Sequence, residues 1–195
     1  MTINAADVAK LRAQTGVGMM EAKKALEAAN GDFNGAIDAL RKSGAAKAAK
    51  RAERETTQGR AHCYSHGNGR IGVVVQVECE TDFVARNEQF VEFCNDIAMH
   101  IAAMNPLYLK REEIAQNVLL KEKEIAREQN AGKPEDVLEK IVEGKLEKYY
   151  EETCLLDQRY IKDEDITVAE LVESKIAAIG ENIKISKFAR FEIGG

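Results

Sequence analysis

Glu80-Thr81-Asp82-Phe83-Val84-Ala85-Arg86-Asn87 joins two periodicities that together set the architecture of this chain. Before it, Arg70-Ile71-Gly72-Val73-Val74-Val75-Gln76-Val77-Glu78-Cys79 is rich in β-branched residues and ends in alternation, the pattern of a buried or half-buried strand. After it, Phe90, Phe93, Ile97, Ile101 and Met104 recur at helical spacing. Thr81 or Asp82 is therefore a candidate helix N-cap with an aromatic residue directly behind it. Two readings stand open. In one, Asp82 caps the helix and Phe83 folds back into the core. In the other, the strand-to-helix corner presents Asp82 and Phe83 outward as a rigid pair of an acid and an aromatic.

Upstream, Arg60-Ala61-His62-Cys63-Tyr64-Ser65-His66 alternates weakly, and Gly67-Asn68-Gly69 is a strong turn signal, so residues 57–79 read as a β-hairpin. Downstream, Asn105-Pro106 ends the apolar helix, and two highly charged helices follow. One covers 111–129, with Ile114, Val118, Leu119 and Ile125 on its stripe. The other starts at Pro134 and carries Val137, Leu138, Ile141, Val142, Leu146 and Tyr149. The short break Asn130-Ala131-Gly132-Lys133 pairs them as an antiparallel hairpin. A last helix over 168–179 is capped by Thr167, and Ile183 to Ile193 alternates strictly as a final strand. Paired with the hairpin, that strand gives a three-stranded antiparallel sheet with helices on one face, an α+β core.

The first 43 residues form a pattern of their own. Val8 and Leu11 make one short stripe, ending at Thr15-Gly16-Val17-Gly18. Met20, Ala22, Ala25 and Leu26 make a second, stopped by Asn30-Gly31. Asp32 caps a third helix carrying Phe33, Ala36, Ile37 and Leu40. This tiny three-helix bundle resembles the ubiquitin-associated (UBA-like) fold, often an interaction module. Two readings of Met19 and Met20 stand open: both fill the small core, or at least one is left exposed beside Val17 and makes a docking surface. The expected organisation is thus a helical unit over 1–43, a basic helical linker over 44–56 and a core over 57–195.

Composition narrows the function classes. The first 60 residues carry 11 Lys and Arg against 7 Asp and Glu, and the remainder carries 17 against 26. The positive excess lies in 41–60, which has helix formers but few large apolar residues, and it reads as a solvated linker. A nucleic-acid-binding arm is the weaker reading, because the chain as a whole is acidic and no aromatic residue interleaves with the basic ones. No apolar run reaches the roughly 18 residues that would suggest a membrane span. The N-terminus lacks the basic and apolar regions of a secretory signal, and the four cysteines form no CxxC pair, so reduced thiols and a cytoplasmic location are expected.

His62, Cys63 and His66 cluster closely, but on a strand Cys63 faces opposite to both His62 and Tyr64, and no second ligand pair follows at metal spacing. Gly67-Asn68-Gly69-Arg70-Ile71-Gly72 misplaces the third glycine of a phosphate-binding loop, and no helix begins there. The carboxylates of 111–152 alternate with lysines as on a solvated face. The sequence argues for no enzyme, no metal and no cofactor.

An ordered series of segments resembles the bacterial elongation factor Ts family. They are Thr15-Gly16-Val17-Gly18-Met19-Met20-Glu21-Ala22-Lys23-Lys24-Ala25-Leu26, Asn30-Gly31-Asp32, His66-Gly67-Asn68-Gly69-Arg70-Ile71-Gly72-Val73 and Thr81-Asp82-Phe83-Val84-Ala85-Arg86-Asn87. Gly132-Lys133-Pro134, Ile141-Val142-Glu143-Gly144-Lys145 and Phe188-Ala189-Arg190-Phe191-Glu192-Ile193-Gly194 continue it. The series follows the family's order through to Gly194 and favours the outward reading of Asp82 and Phe83.

The resemblance implies a guanine-nucleotide exchange factor for the GTPase elongation factor Tu, met both GDP-bound and nucleotide-free. It implies Phe83 as a wedge and Asp82 as the group that disturbs the GTPase's Mg²⁺ and phosphate surroundings, with Thr81 and Val84 as flanking contacts. Val17, Met19 and Met20 are the implied docking contacts of the N-terminal bundle, and His66 lines the same interface. The length resembles the family's short form, in which one chain supplies a single core unit, so a homodimer and a 2:2 complex are expected. No membrane and no direct nucleic-acid contact are expected. Two rival classes make opposite predictions: a binding module keeps its activity in residues 1–43 alone, and a thiol or metal enzyme depends on Cys63 and His66.

Overall fold

Side-chain caps and left-handed residues punctuate the N-terminal helices as the sequence suggests. The computed structural model describes residues 3–194, so the outermost ends of the expected units, at positions 1, 2 and 195, lie outside the described residues. Helix α1 (Ala5–Thr15) starts at Asn4, whose side chain accepts the Ala6 N–H, and ends at Gly16 with φ of 71°. Helix α2 (Met19–Ala28) is stopped by Asn30 and Gly31, both at positive φ. Asp32 caps α3 (Phe33–Arg51) by accepting the Asn34 N–H at 3.1 Å. Leu11, Ala22, Leu26 and Ala36, almost fully buried, form the centre of this small bundle.

The third helix does not stop near residue 43. It runs unbroken through the expected linker to Arg51, and that stretch is packed rather than solvated. Gly44 and Ala48 are buried; a Cβ built at Gly44 would stand 3.6 Å from the Cβ of Ala177, and Ala48 joins the main core. Large apolar side chains are scarce in this stretch, but small ones such as Gly44 and Ala48 let two helices approach closely. Arg51 adds a bond to the Ile176 carbonyl, and Lys47 pairs with Glu21.

The main core follows. β1 (Gln58–His66) and β2 (Ile71–Cys79) form the expected antiparallel hairpin. A single helical turn, α4 (Asp82–Ala85), precedes α5 (Glu88–Met104), which has its own cap at Asn87. The helix therefore does not run through from Thr81. Next come a short 3-10 turn at 111–113, then α6 (Gln116–Glu128) and α7 (Glu135–Thr153), packed as an antiparallel hairpin. A second small hairpin, β3 (Arg159–Tyr160) and β4 (Asp163–Thr167), leads into α8 (Val168–Ile179), where Thr167 and Glu170 form a reciprocal capping box. The chain closes with β5 (Ile183–Glu192), which pairs with β2 so that the sheet order is β1-β2-β5.

Helix α5 lies across the sheet. Its Phe90, Phe93, Ile97 and Ile101 are fully buried against Val73, Val75 and Val77. Truncating either phenylalanine to alanine would cost about 3–5 kcal/mol. β5 departs from strict alternation. A bulge at Ser186 shifts the register, so that Ile183 and Ile185 face the helices, and beyond it Phe188 and Arg190 take that face, opposite Val75 and Val73. Phe191 and Ile193 are thereby turned outward, 67% and 70% exposed, beside exposed Val74 on the face opposite α5.

Candidate partner-binding site

The segment 80–85 is built from the end of β2 outward. Cys79 is buried, and its thiol donates to the Thr81 carbonyl at 3.2 Å. Burial, with the nearby Glu181 charge, pushes that thiol up to about 11, which keeps the donor proton in place. Thr81 is the N-cap: its Oγ1 accepts the Val84 N–H at 3.3 Å and donates its own proton to Glu181 Oε1 at 2.7 Å. Val84 is half-buried against the core and Ala85 is buried, so the turn is pinned on its inner side. Asp82 pairs with Arg86 at 2.9 Å. Phe83 is 84% exposed. The structure therefore rejects the inward reading: Thr81, not Asp82, caps the turn, and Phe83 stands in solvent on a fixed backbone.

Further hydrogen bonds fix this corner from across the fold. Glu181 Oε2 accepts the N–H groups of Glu80 and Thr81 at 3.1 and 3.0 Å. In return Glu80 Oε1 accepts the Asn182 N–H at 2.6 Å, and Glu80 also pairs with Arg54. Asn182, 1% exposed, donates its side-chain amide to the Arg54 carbonyl at 2.8 Å. The ends of α3, β2 and α8 are thus tied at one point. Nothing in the sequence reading singled out Glu181, Asn182 or Glu80 in this role, because the partners lie 101 and 102 positions apart.

The second group of candidate residues sits on the turn between α1 and α2. Met19 and Met20 are both exposed, 48% and 64%, so neither fills the small core. Val17 differs: it is 7% exposed and anchors the turn from beneath, which removes it as a surface contact. The first turn of α2 has no side-chain cap. A Cβ built at Gly16 would lie 3.9 Å from the Cβ of Ala178, so this turn rests on α8, the helix whose following residues hold segment 80–81.

The comparisons with known proteins decide the family. The family model described as Elongation factor TS matches residues 4–195. The chain is 56% identical over 194 residues to a protein named Elongation factor Ts from Thermosipho melanesiensis, covering 98% of this chain and 99% of the relative. It is 54% identical to the one from Fervidobacterium nodosum over the full length of both, and 54% identical to that from Moorella thermoacetica, covering 98% and 96%. The chain belongs to the elongation factor Ts family. As a member of that family it is a protein-synthesis elongation factor.

His66 lies away from the Phe83 turn. In this chain it ends β1 opposite Ile71, whereas segment 80–83 follows Cys79 at the other end of β2. At ~3.3 Å per residue the strand sets the two about 26 Å apart, so His66 does not share the Asp82–Phe83 patch of its own chain. It is exposed, its Nδ1 is 3.0 Å from the Tyr64 hydroxyl, and the two rings stack. Cys63 is exposed, and the other three cysteines are buried, all as free thiols. Among the described residues no group of three or more His, Cys, Asp or Glu is placed to hold a metal, and no helix is long and apolar enough to cross a membrane.

Proposed function

We propose that this chain is a guanine-nucleotide exchange factor that binds elongation factor Tu and promotes GDP release by pressing Asp82 and Phe83 against its Mg²⁺ and phosphate site. The observation that carries the reading is the solvent-exposed Phe83 on a hydrogen-bonded turn, in a chain of the elongation factor Ts family. A P-loop GTPase holds its nucleotide through backbone amides, a lysine and a bridging Mg²⁺. An exchange factor that binds the nucleotide-free conformation more tightly than the loaded one lowers nucleotide affinity by the same factor. Each tenfold loss requires about 1.4 kcal/mol of differential binding. A buried aromatic anchor supplies ~2 kcal/mol or more, and a turn already rigid in the free protein loses little entropy on insertion.

Displacement of this kind needs no covalent chemistry, and the chain is proposed to act as no enzyme and to carry no cofactor. Met19 and Met20 supply a deformable apolar contact on the GTPase. The chain is further proposed to work as a homodimer in a 2:2 complex. In support, Val74, Phe191 and Ile193 leave an apolar sheet face uncovered, and His66 and Phe83 mark opposite ends of the sheet, where two contact zones are possible.

The test is stopped-flow release of a fluorescent GDP analogue from elongation factor Tu, with and without an equimolar amount of the chain. Acceleration of a hundredfold or more is expected. Unchanged release from a folded chain and a matched partner would end the proposal. Sedimentation of the mixture gives the stoichiometry, and full activity from a 21.6 kDa monomer would remove the dimer.

A further inference from the structure

We propose that Glu181 is a positioning residue for nucleotide exchange: its carboxylate, delivered by the turn after α8, holds segment 80–81 so that Phe83 and Asp82 point outward in a fixed direction. The inference rests on the exchange function proposed above. Glu181 is hydrogen-bonded to Glu80 and Thr81 and acts through the backbone that carries Asp82 and Phe83.

Three donors converge on this one side chain. Oε2 takes the N–H groups of Glu80 and Thr81, and Oε1 takes the Thr81 hydroxyl. An ionised carboxylate is suited to this, since it is an acceptor with two oxygens and several lone pairs and its charge strengthens each bond. Without it the two N–H groups at the strand-to-helix corner have no partner among the described residues, and the cap hydroxyl loses its acceptor. The corner is the point where the direction of Phe83 is set, because α4 is one turn long and contributes little rigidity of its own.

The position of Glu181 in the chain adds a second consequence. Gly180 ends α8 in the left-handed conformation, so the carboxylate is delivered from the end of a packed helix. The same helix supports Gly16 through Ala178 and α3 through Ala177. Asn182, the next residue, holds the end of α3 at the Arg54 carbonyl. Helix α8 with residues 181–182 therefore lies beside the methionine turn at Ala178 and holds the Phe83 turn through Glu181. A partner meets a Phe83 turn that is already held, and little binding energy is lost in ordering it.

The test uses the full chain and elongation factor Tu loaded with a fluorescent GDP analogue, with release measured over a range of exchange-factor concentrations. Four forms are compared: wild type, Glu181→Ala, Glu181→Asp and Glu181→Gln. Removing the acceptors is expected to lower the maximal release rate about tenfold, the factor equivalent to ~1.4 kcal/mol, with the half-saturating concentration unchanged. The glutamine keeps the side-chain length and a carbonyl for the two N–H groups, so it restores most of the rate. Aspartate keeps the charge but is one methylene short, so it behaves like alanine.

Amide hydrogen exchange gives a readout that needs no partner: protection of the Glu80 and Thr81 N–H groups falls in Glu181→Ala and persists in Glu181→Gln. If Glu181→Ala does not fold, the order of the other two variants decides. Aspartate outperforming glutamine would overturn positioning in favour of a charge effect. Wild-type rates in Glu181→Ala, or a change confined to the half-saturating concentration, would overturn it as well. If wild type itself leaves release unchanged, the exchange reading falls and this role falls with it. If wild type accelerates release and all the variants match it, only the role of Glu181 falls.

Discussion

Glu80 and Glu181 each accept a backbone N–H from the other's segment through a carboxylate oxygen. Glu181 accepts the Glu80 N–H at 3.1 Å, and Glu80 accepts the N–H of Asn182, the residue after Glu181, at 2.6 Å. Two acidic side chains can lie this close because each is aimed at peptide donors, and Arg54 offsets part of the charge at Glu80. The turn bearing Phe83 is thereby tied to the start of β5.

Thr81 sits inside this arrangement as both cap and donor. Thr81→Ala removes the bond to Val84 and the bond to Glu181, and it is expected to lower stability by about 1–2 kcal/mol. Thr81→Ser keeps both and should be close to wild type, whereas Thr81→Val should resemble alanine. Urea denaturation of the three variants checks this; equal midpoints for alanine and serine would contradict it.

Gly44 lies where α3 meets α8, and a single methyl group fits the 3.6 Å gap to Ala177 in ordinary van der Waals contact. Gly44→Ala is expected to stabilise the protein by about 0.5–1 kcal/mol through helix propensity. Gly44→Leu overfills the contact and should cost about 1–3 kcal/mol. Thermal melts of the pair should move in opposite directions, and a shared direction would contradict the packing described.

Gly59 has the opposite environment. Its φ is 148°, and a Cβ there would fall 2.2 Å from the Val77 carbonyl oxygen and 2.8 Å from the Glu78 Cα. Gly59→Ala combines backbone strain with a clash against the neighbouring strand, and it should destabilise by about 1–3 kcal/mol. An unchanged urea midpoint would show that the start of β1 is free to move away.

His100 is fully buried and neutral in this fold. Its Nδ1 accepts the Ile161 N–H, so Nε2 carries the proton and donates to Gln158 Oε1 at 3.0 Å. The Tyr160 ring packs nearby, and the Asp96 charge near that tyrosine is itself paired with Lys162. Burial holds His100 below the usual histidine range. A depressed folded value means that the unfolded chain takes up a proton that the folded chain refuses. Stability is therefore complete above about pH 6.5 and falls below it, by up to ~1.4 kcal/mol per pH unit, until the folded value is reached. Denaturation between about pH 7 and 5 should show a shallower slope in His100→Gln than in wild type. Equal slopes would contradict the burial of a neutral ring.

Much of this architecture was legible because local signals agreed with one another. The β-branched run into Cys79, the Gly67-Asn68-Gly69 turn, the Thr167 cap and the helical spacing of Phe90 to Met104 each placed an element correctly. The β3–β4 hairpin was missed, since strands of two and five residues around Asp163-Glu164-Asp165 leave no apolar alternation to read. The outward turn of Phe191 was missed because a bulge at Ser186 inverts the phase of β5, and a bulge depends on the partner strand. Within the candidate site, the segment around Asp82 and Phe83 left the inward and outward readings both open, and only the family resemblance favoured the exposed Phe83 that the structure shows. Glu181 was not legible, because its contacts close a loop of a hundred residues and no periodicity records them.

The central claim is that Phe83, exposed and held rigid, drives nucleotide release. The most direct measurement compares wild type with Phe83→Ala in stopped-flow release of a fluorescent GDP analogue from elongation factor Tu, with circular dichroism and melting temperature recorded for both. Because the side chain contributes almost nothing to the core, the variant should fold and melt like wild type while its acceleration of release drops about tenfold or more. A Phe83→Ala chain that releases GDP as fast as wild type would contradict the account, as would one that fails to fold.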